Sequence, residues 1–118
     1  MSAADTPVEF VGSSKKDLSH FPKAVRDHVG FALWMAQRGE KHDSTKPLKG
    51  FGGASVLEIV SDHDGGAYRS VYTVKVKGVI YVLHCFEKKS KSGNKTPASE
   101  MNVIETRLRR VLELHRGS

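Results

Sequence analysis

Arg69 stands inside a run of β-forming residues, Tyr68-Arg69-Ser70-Val71-Tyr72-Thr73-Val74, and four lysines, Lys88, Lys89, Lys91 and Lys95, follow the next such run, Val79 to Phe86. A guanidinium and several ammonium groups repel one another unless an anion lies among them. They suit a phosphate, to which arginine donates paired hydrogen bonds and lysine supplies a point charge. The two runs must pair for these groups to meet. Lys77-Gly78 between them reads as a tight hairpin turn. An antiparallel ladder centred there sets Arg69 opposite residues 86–87. Strand alternation then places Ile80, Val82, His84 and Phe86 on one face, and Tyr81, Leu83 and Cys85 on the other. His84 would share a face with Lys88. Blander readings stand beside these: Lys88 to Lys95 as a solvated loop, Arg69 as a surface residue paired with Glu58 or Asp62, and His84 as an ordinary half-buried histidine.

Other chemistries are weaker. His63 lies between Asp62 and Asp64, but neighbours on a turn rarely converge on one ion. His84 and Cys85 are adjacent on a strand and give no zinc spacing. No metal site and no cofactor are expected. The run Gly50-Phe51-Gly52-Gly53 lacks the Lys-Ser/Thr ending of a phosphate loop and reads as a loop entering a strand. Cys85, inside an apolar strand, reads as a small core residue.

The 118 residues suit one domain, 1–118. The single cysteine excludes an internal disulfide framework. No run approaches the roughly 18 apolar residues of a membrane span, and no secretory signal precedes residue 12, so a soluble cytoplasmic protein is expected. The net charge of +6 is uneven. Residues 1–64 hold 8 basic and 9 acidic side chains, whereas residues 65–118 hold 11 and 4. That asymmetry points to nucleic acid or an acidic protein as partner, with a merely solvated face as the alternative.

The elements that must hold these groups are readable from pattern. Val8 to Val11 suggests a first strand. Leu18, Phe21, Val25, Val29, Leu33 and Ala36 form one apolar helical stripe that Pro22 breaks into two pieces, with Phe31 and Trp34 widening it. Gly39 ends it. Residues 40–54 read as a loop carrying Lys46 and Lys49. Ser55 to Val60 is strand-like, and Asp62 to Gly66 is turn chemistry. Thr96 as N-cap and Pro97 at the first helical position open a last helix with Met101, Ile104, Leu108, Val111 and Leu112 on one face. The order predicts an α+β fold, a small antiparallel sheet packed with two N-terminal helices and a C-terminal helix.

The Tyr-Arg strand, the strand ending Phe86-Glu87-Lys88-Lys89, and Lys95-Thr96-Pro97 before the last helix together resemble the RelE/ParE superfamily of toxin–antitoxin toxins. Gly30 to Glu40 and Lys46-Pro47-Leu48-Lys49-Gly50-Phe51-Gly52 are similar to its HigB-like, phage-derived branch. The likeness runs from about Val8 to Val111. It implies a RelE-like toxin neutralised by a helix-turn-helix antitoxin. It further implies a ribosome-dependent mRNA endonuclease in which a ribose 2′-hydroxyl attacks the adjacent phosphate without a metal. On that resemblance Arg69, Lys88, Lys89 and His84 are catalytic candidates, and Tyr68, Lys46, Lys49, Lys91 and Lys95 are RNA-binding candidates. The proton acceptor stays open among a lysine, His84 and Tyr68. The stretch after Pro97 has no tyrosine, so a tyrosine acid is not transferred there. A ParE-like gyrase inhibitor and a degenerate module that only binds RNA or antitoxin are the alternatives.

Overall fold

The computed structural model describes residues 6–51, 55–88 and 96–116. Lys89, Lys91, Lys95 and Gly52-Gly53, all singled out above, lie outside the described residues. The elements run β1 (Val8–Phe10), α1 (Ser14–Ser19), α2 (Lys23–Gln37), β2 (Thr45–Pro47), β3 (Val56–His63), β4 (Gly66–Thr73), β5 (Ile80–Lys88) and α3 (Ala98–Leu114). This is the α+β arrangement the pattern predicts.

The strands form one sheet in the order β1-β5-β4-β3-β2. β3, β4 and β5 make the expected antiparallel meander. Both hairpin turns use residues at positive φ, Asp64-Gly65 (49° and 78°) and Lys77-Gly78 (50° and 84°). That is the twist two-residue hairpins require. The first turn is tighter than expected, because β3 continues through Asp62 to His63.

Two features correct the sequence reading. β1 pairs parallel with β5, so the sheet is mixed rather than wholly antiparallel. β2 lies within the segment read as loop and pairs antiparallel with β3, setting Lys46 opposite Glu58. A three-residue strand of Thr, Lys and Pro carries no alternation to detect, and proline is tolerated there because β2 is an edge.

Helices cover both faces. Phe21, Val25, Val29, Ala32 and Leu33 pack on Ile59, Tyr72, Ile80, Val82 and Cys85. On the opposite face Ile104 and Val111 of α3 pack on Val56, Val71, Tyr81, Leu83 and Phe86. Pro22 does separate α1 from α2, capping the latter. Phe31 and Trp34 do not widen the buried stripe: both are exposed, as is Leu112 on α3.

The face assignment on β5 also needs correction. Val71 pairs with His84 but Tyr72 pairs with Val82, so Leu83 is an extra residue in a β-bulge. A bulge shifts the alternation by one. Ile80, Val82 and Cys85 therefore face α2, while Tyr81, Leu83 and Phe86 face α3. His84, bonded to α3, shares their side.

Candidate active site

Strand register gathers the charged groups. Arg69 lies opposite Val60 on β3 and Phe86 on β5. Glu58 and Asp62, two residues either side of Val60, project to the same face, as does Lys88 two residues beyond Phe86. Lys46 joins them through its register with Glu58. Arg69, Glu58 and Lys88 are all buried, at 6%, 2% and 7% exposure.

Arg69 faces two carboxylates at ion-pair distance. Arg69 Nε lies 3.7 Å from Glu58 Oε2, and a terminal nitrogen lies 3.8 Å from Asp62 Oδ1. Both exceed hydrogen-bond length. The guanidinium's hydrogen bond among the described residues goes to the Tyr68 carbonyl at 3.2 Å. Its fork thus keeps donor capacity. Burial pushes the Glu58 carboxyl above the usual carboxylate range, opposed by the charges of Arg69, Lys46 and Lys88 and by the Thr96 hydroxyl. That hydroxyl donates to Glu58 Oε2 at 3.5 Å, and Pro97, not Thr96, takes the N-cap position of α3. The expected N-cap is shifted by one, and the freed hydroxyl turns to the site.

Glu58 forms the floor of an open cleft of about 570 Å³, with Lys46, Pro47, Leu48, Lys49, Gly50, Thr96 and Met101 around it. Two lysines stand exposed at its mouth and a buried carboxylate lies below. Arg69 Nε lies 3.7 Å from Glu58, and the charges of both Arg69 and Lys88 act on that carboxyl.

The candidates divide accordingly. Lys46 and Lys49 line the cleft with Glu58, and Arg69 and Lys88 share the sheet face and act on its charge. Tyr68 does not join them: it occupies the opposite face, its ring 4.9 Å from that of Phe21. Its neighbour Arg69 points the other way, as adjacent strand residues must. His84 shares the Arg69 face but is covered by α3, with Nε2 2.6 Å from Glu100 Oε1 and Nδ1 3.5 Å from the Arg107 guanidinium. Glu58, Asp62 and Thr96 were not among the functional candidates. A signal existed for Glu58: a carboxylate at the same parity as Val56 and Val60 in the otherwise apolar stretch Val56 to Val60.

An inward carboxylate beside a guanidinium, with lysines at the rim, can accept a proton from a hydroxyl while the cations hold a phosphate.

Comparison with known proteins follows the same lines. Residues 16–109 match the family described as phage-derived protein Gp49-like (DUF891). The structure is similar to a mutant of the E. coli toxin RelE in the free state, with a TM-score of 0.60 and 19% identity over 92% of this chain and 99% of that one. A chain of the RelBE2 toxin–antitoxin complex from Mycobacterium tuberculosis aligns with a TM-score of 0.49 and 18% identity over 75% and 98% of the two chains. A search of curated proteins finds no match.

Proposed function

We propose that this chain, which belongs to the phage-derived Gp49-like family and has the fold of the toxin RelE, is the toxin of a toxin–antitoxin pair and cleaves mRNA on the ribosome. The observation that carries the reading is the buried Glu58, which lines a cleft beside Lys46 and Lys49 and lies 3.7 Å from the Arg69 guanidinium. Lys46 and Lys49 give the RNA backbone its first contacts. Glu58, its affinity for protons raised by burial, takes the proton of a ribose 2′-hydroxyl. The freed oxygen attacks the adjacent phosphorus in line, and the bond to the 5′-oxygen breaks. A protonated lysine at the rim gives that oxygen its proton. No metal enters the scheme.

Timing favours this division of roles. As Glu58 is neutralised, Arg69 loses its partner. At that moment negative charge builds on the phosphate oxygens, and the guanidinium fork fits them. At 3.7 and 3.8 Å the carboxylates leave donors of the fork without a hydrogen bond to them. A helix-turn-helix antitoxin is the partner this reading expects, seated over the cationic cleft in the cytoplasm.

Controlled expression with transcriptome-wide mapping of RNA 5′ ends, in wild type and Arg69→Ala, tests the proposal. New ends within translated frames that vanish in the variant support it. Intact mRNA with stalled supercoiling would replace it with gyrase inhibition.

A further inference from the structure

A second group of side chains adjoins the cleft without belonging to it. Phe31 and Trp34, one turn apart on α2, are 52% and 46% exposed. Their rings stack, with centroids 5.7 Å apart and planes inclined by 17°. The Arg38 guanidinium lies over Trp34 at 5.0 Å. On the other side Phe31 meets the His42 ring edge-on at 5.6 Å, and His42 meets His28 at 4.9 Å. His28 is held by the Ser61 hydroxyl at 2.7 Å. From His28 to Arg38 this ladder covers about 15 Å of helix.

The ladder begins beside the proposed catalytic centre. His28 lines a second open cleft of about 520 Å³ together with Asp43, Ser44, Lys46, Val60 and Asp62. Lys46 belongs to both clefts, and Asp62 is the second carboxylate facing Arg69. Phe31 and Trp34 line neither cleft, and the way to them from Lys46 runs past His28 and His42.

We propose that the ladder is a base-stacking track for the single-stranded RNA flanking the scissile phosphate, with Phe31 and Trp34 receiving nucleobases on their faces. The inference rests on the reading of the first cleft as the cleavage site. Flat rings backed by a guanidinium suit bases of any sequence. A protein-docking helix presents a longer apolar face, with anchors at i, i+3 or i+4 and i+7. Among the described residues the exposed large aliphatic side chains, Val74, Leu112 and Leu114, all lie away from α2. Asp43 and Asp62 repel phosphates from the second cleft, which keeps the backbone on Lys46 and turns the bases toward the rings.

Trp34 is the sole tryptophan, so its fluorescence reports directly. The probes are uncleavable 2′-O-methyl RNA strands of about three and about ten nucleotides, added to the full chain and to Phe31→Ala, Phe31→Tyr and Arg69→Ala. The longer strand is expected to quench Trp34 and to bind about tenfold tighter than the shorter. Phe31→Ala should equalise the two lengths, and Phe31→Tyr should restore the difference. Equal affinities in wild type, an unquenched Trp34, or a length dependence that survives Phe31→Ala overturns the track. Arg69→Ala separates the two ideas. If it binds the short strand as wild type does, the cleft reading fails, whatever the ladder shows.

Discussion

Arg69 and Glu58 are diagonal neighbours on adjacent antiparallel strands, both almost wholly buried, with Nε 3.7 Å from Oε2. That separation is close enough for mutual neutralisation and too long for a hydrogen bond. Fully engaged buried pairs lock a structure, whereas this pair keeps the guanidinium available. The same arrangement makes stability depend on pH in a direction opposite to most paired carboxylates.

Burial raises the Glu58 pKa above its ordinary 4.5 despite the surrounding cations. A folded state that binds the proton more tightly than the unfolded chain loses stability as pH rises from that value through the raised one. Glu58→Gln should flatten this part of the profile. Thermal denaturation of both proteins between about pH 4 and pH 8 checks it, and parallel profiles would assign the slope to other groups.

His84 ties β5 to α3 through Glu100 and stands beside Arg107. His84→Asn is expected to destabilise the fold by about 1–3 kcal/mol, since Glu100 is left without its partner. RNA cleavage should persist. Urea unfolding and a cleavage assay on the same preparation measure both, and abolished cleavage in a stable variant would return His84 to the catalytic group.

Gly12 shows where a side chain cannot go. Its φ is +58°, and a Cβ there would lie 2.8 Å from the Arg107 guanidinium. Arg107 in turn donates to the Leu83 carbonyl at 2.9 Å and the Ser13 hydroxyl at 3.1 Å. Gly12→Ala should cost about 1–3 kcal/mol from backbone strain and displaced bonds. Urea denaturation gives the value, and a change within about 0.5 kcal/mol would show that Arg107 moves aside freely.

Much of this fold was legible, for definite reasons. The α2 stripe and the β3–β5 meander were visible because their periods are long enough to count, and Lys77-Gly78 marked its turn chemically. That register brought Arg69 and Lys88 together. Two things were not legible. β2 is short and contains Pro47, yet it alone carries Lys46 to Glu58. The bulge at Leu83 breaks alternation without any glycine or proline to announce it. Glu58 went unassigned because a carboxylate on a strand usually faces water. Its burial, which strand pattern does not announce, is what fits it to the proposed role of base.

Cys85 is buried, and its thiol is pushed up to about 11, first by burial. The thiolate is the reactive form. Iodoacetamide near pH 8 should leave native protein unlabelled and label it fully in denaturant. Rapid labelling of the folded chain would contradict the packing of β5 against α2.

The most direct measurement is the rate of mRNA cleavage in a translating extract by wild type, Glu58→Gln and Arg69→Ala, each first shown to be folded. Both variants should fall by about a hundredfold or more, and wild-type products should carry a 2′,3′-cyclic phosphate or 3′-phosphate end. Wild-type rates from either folded variant would contradict the assignment of cleavage to this buried pair.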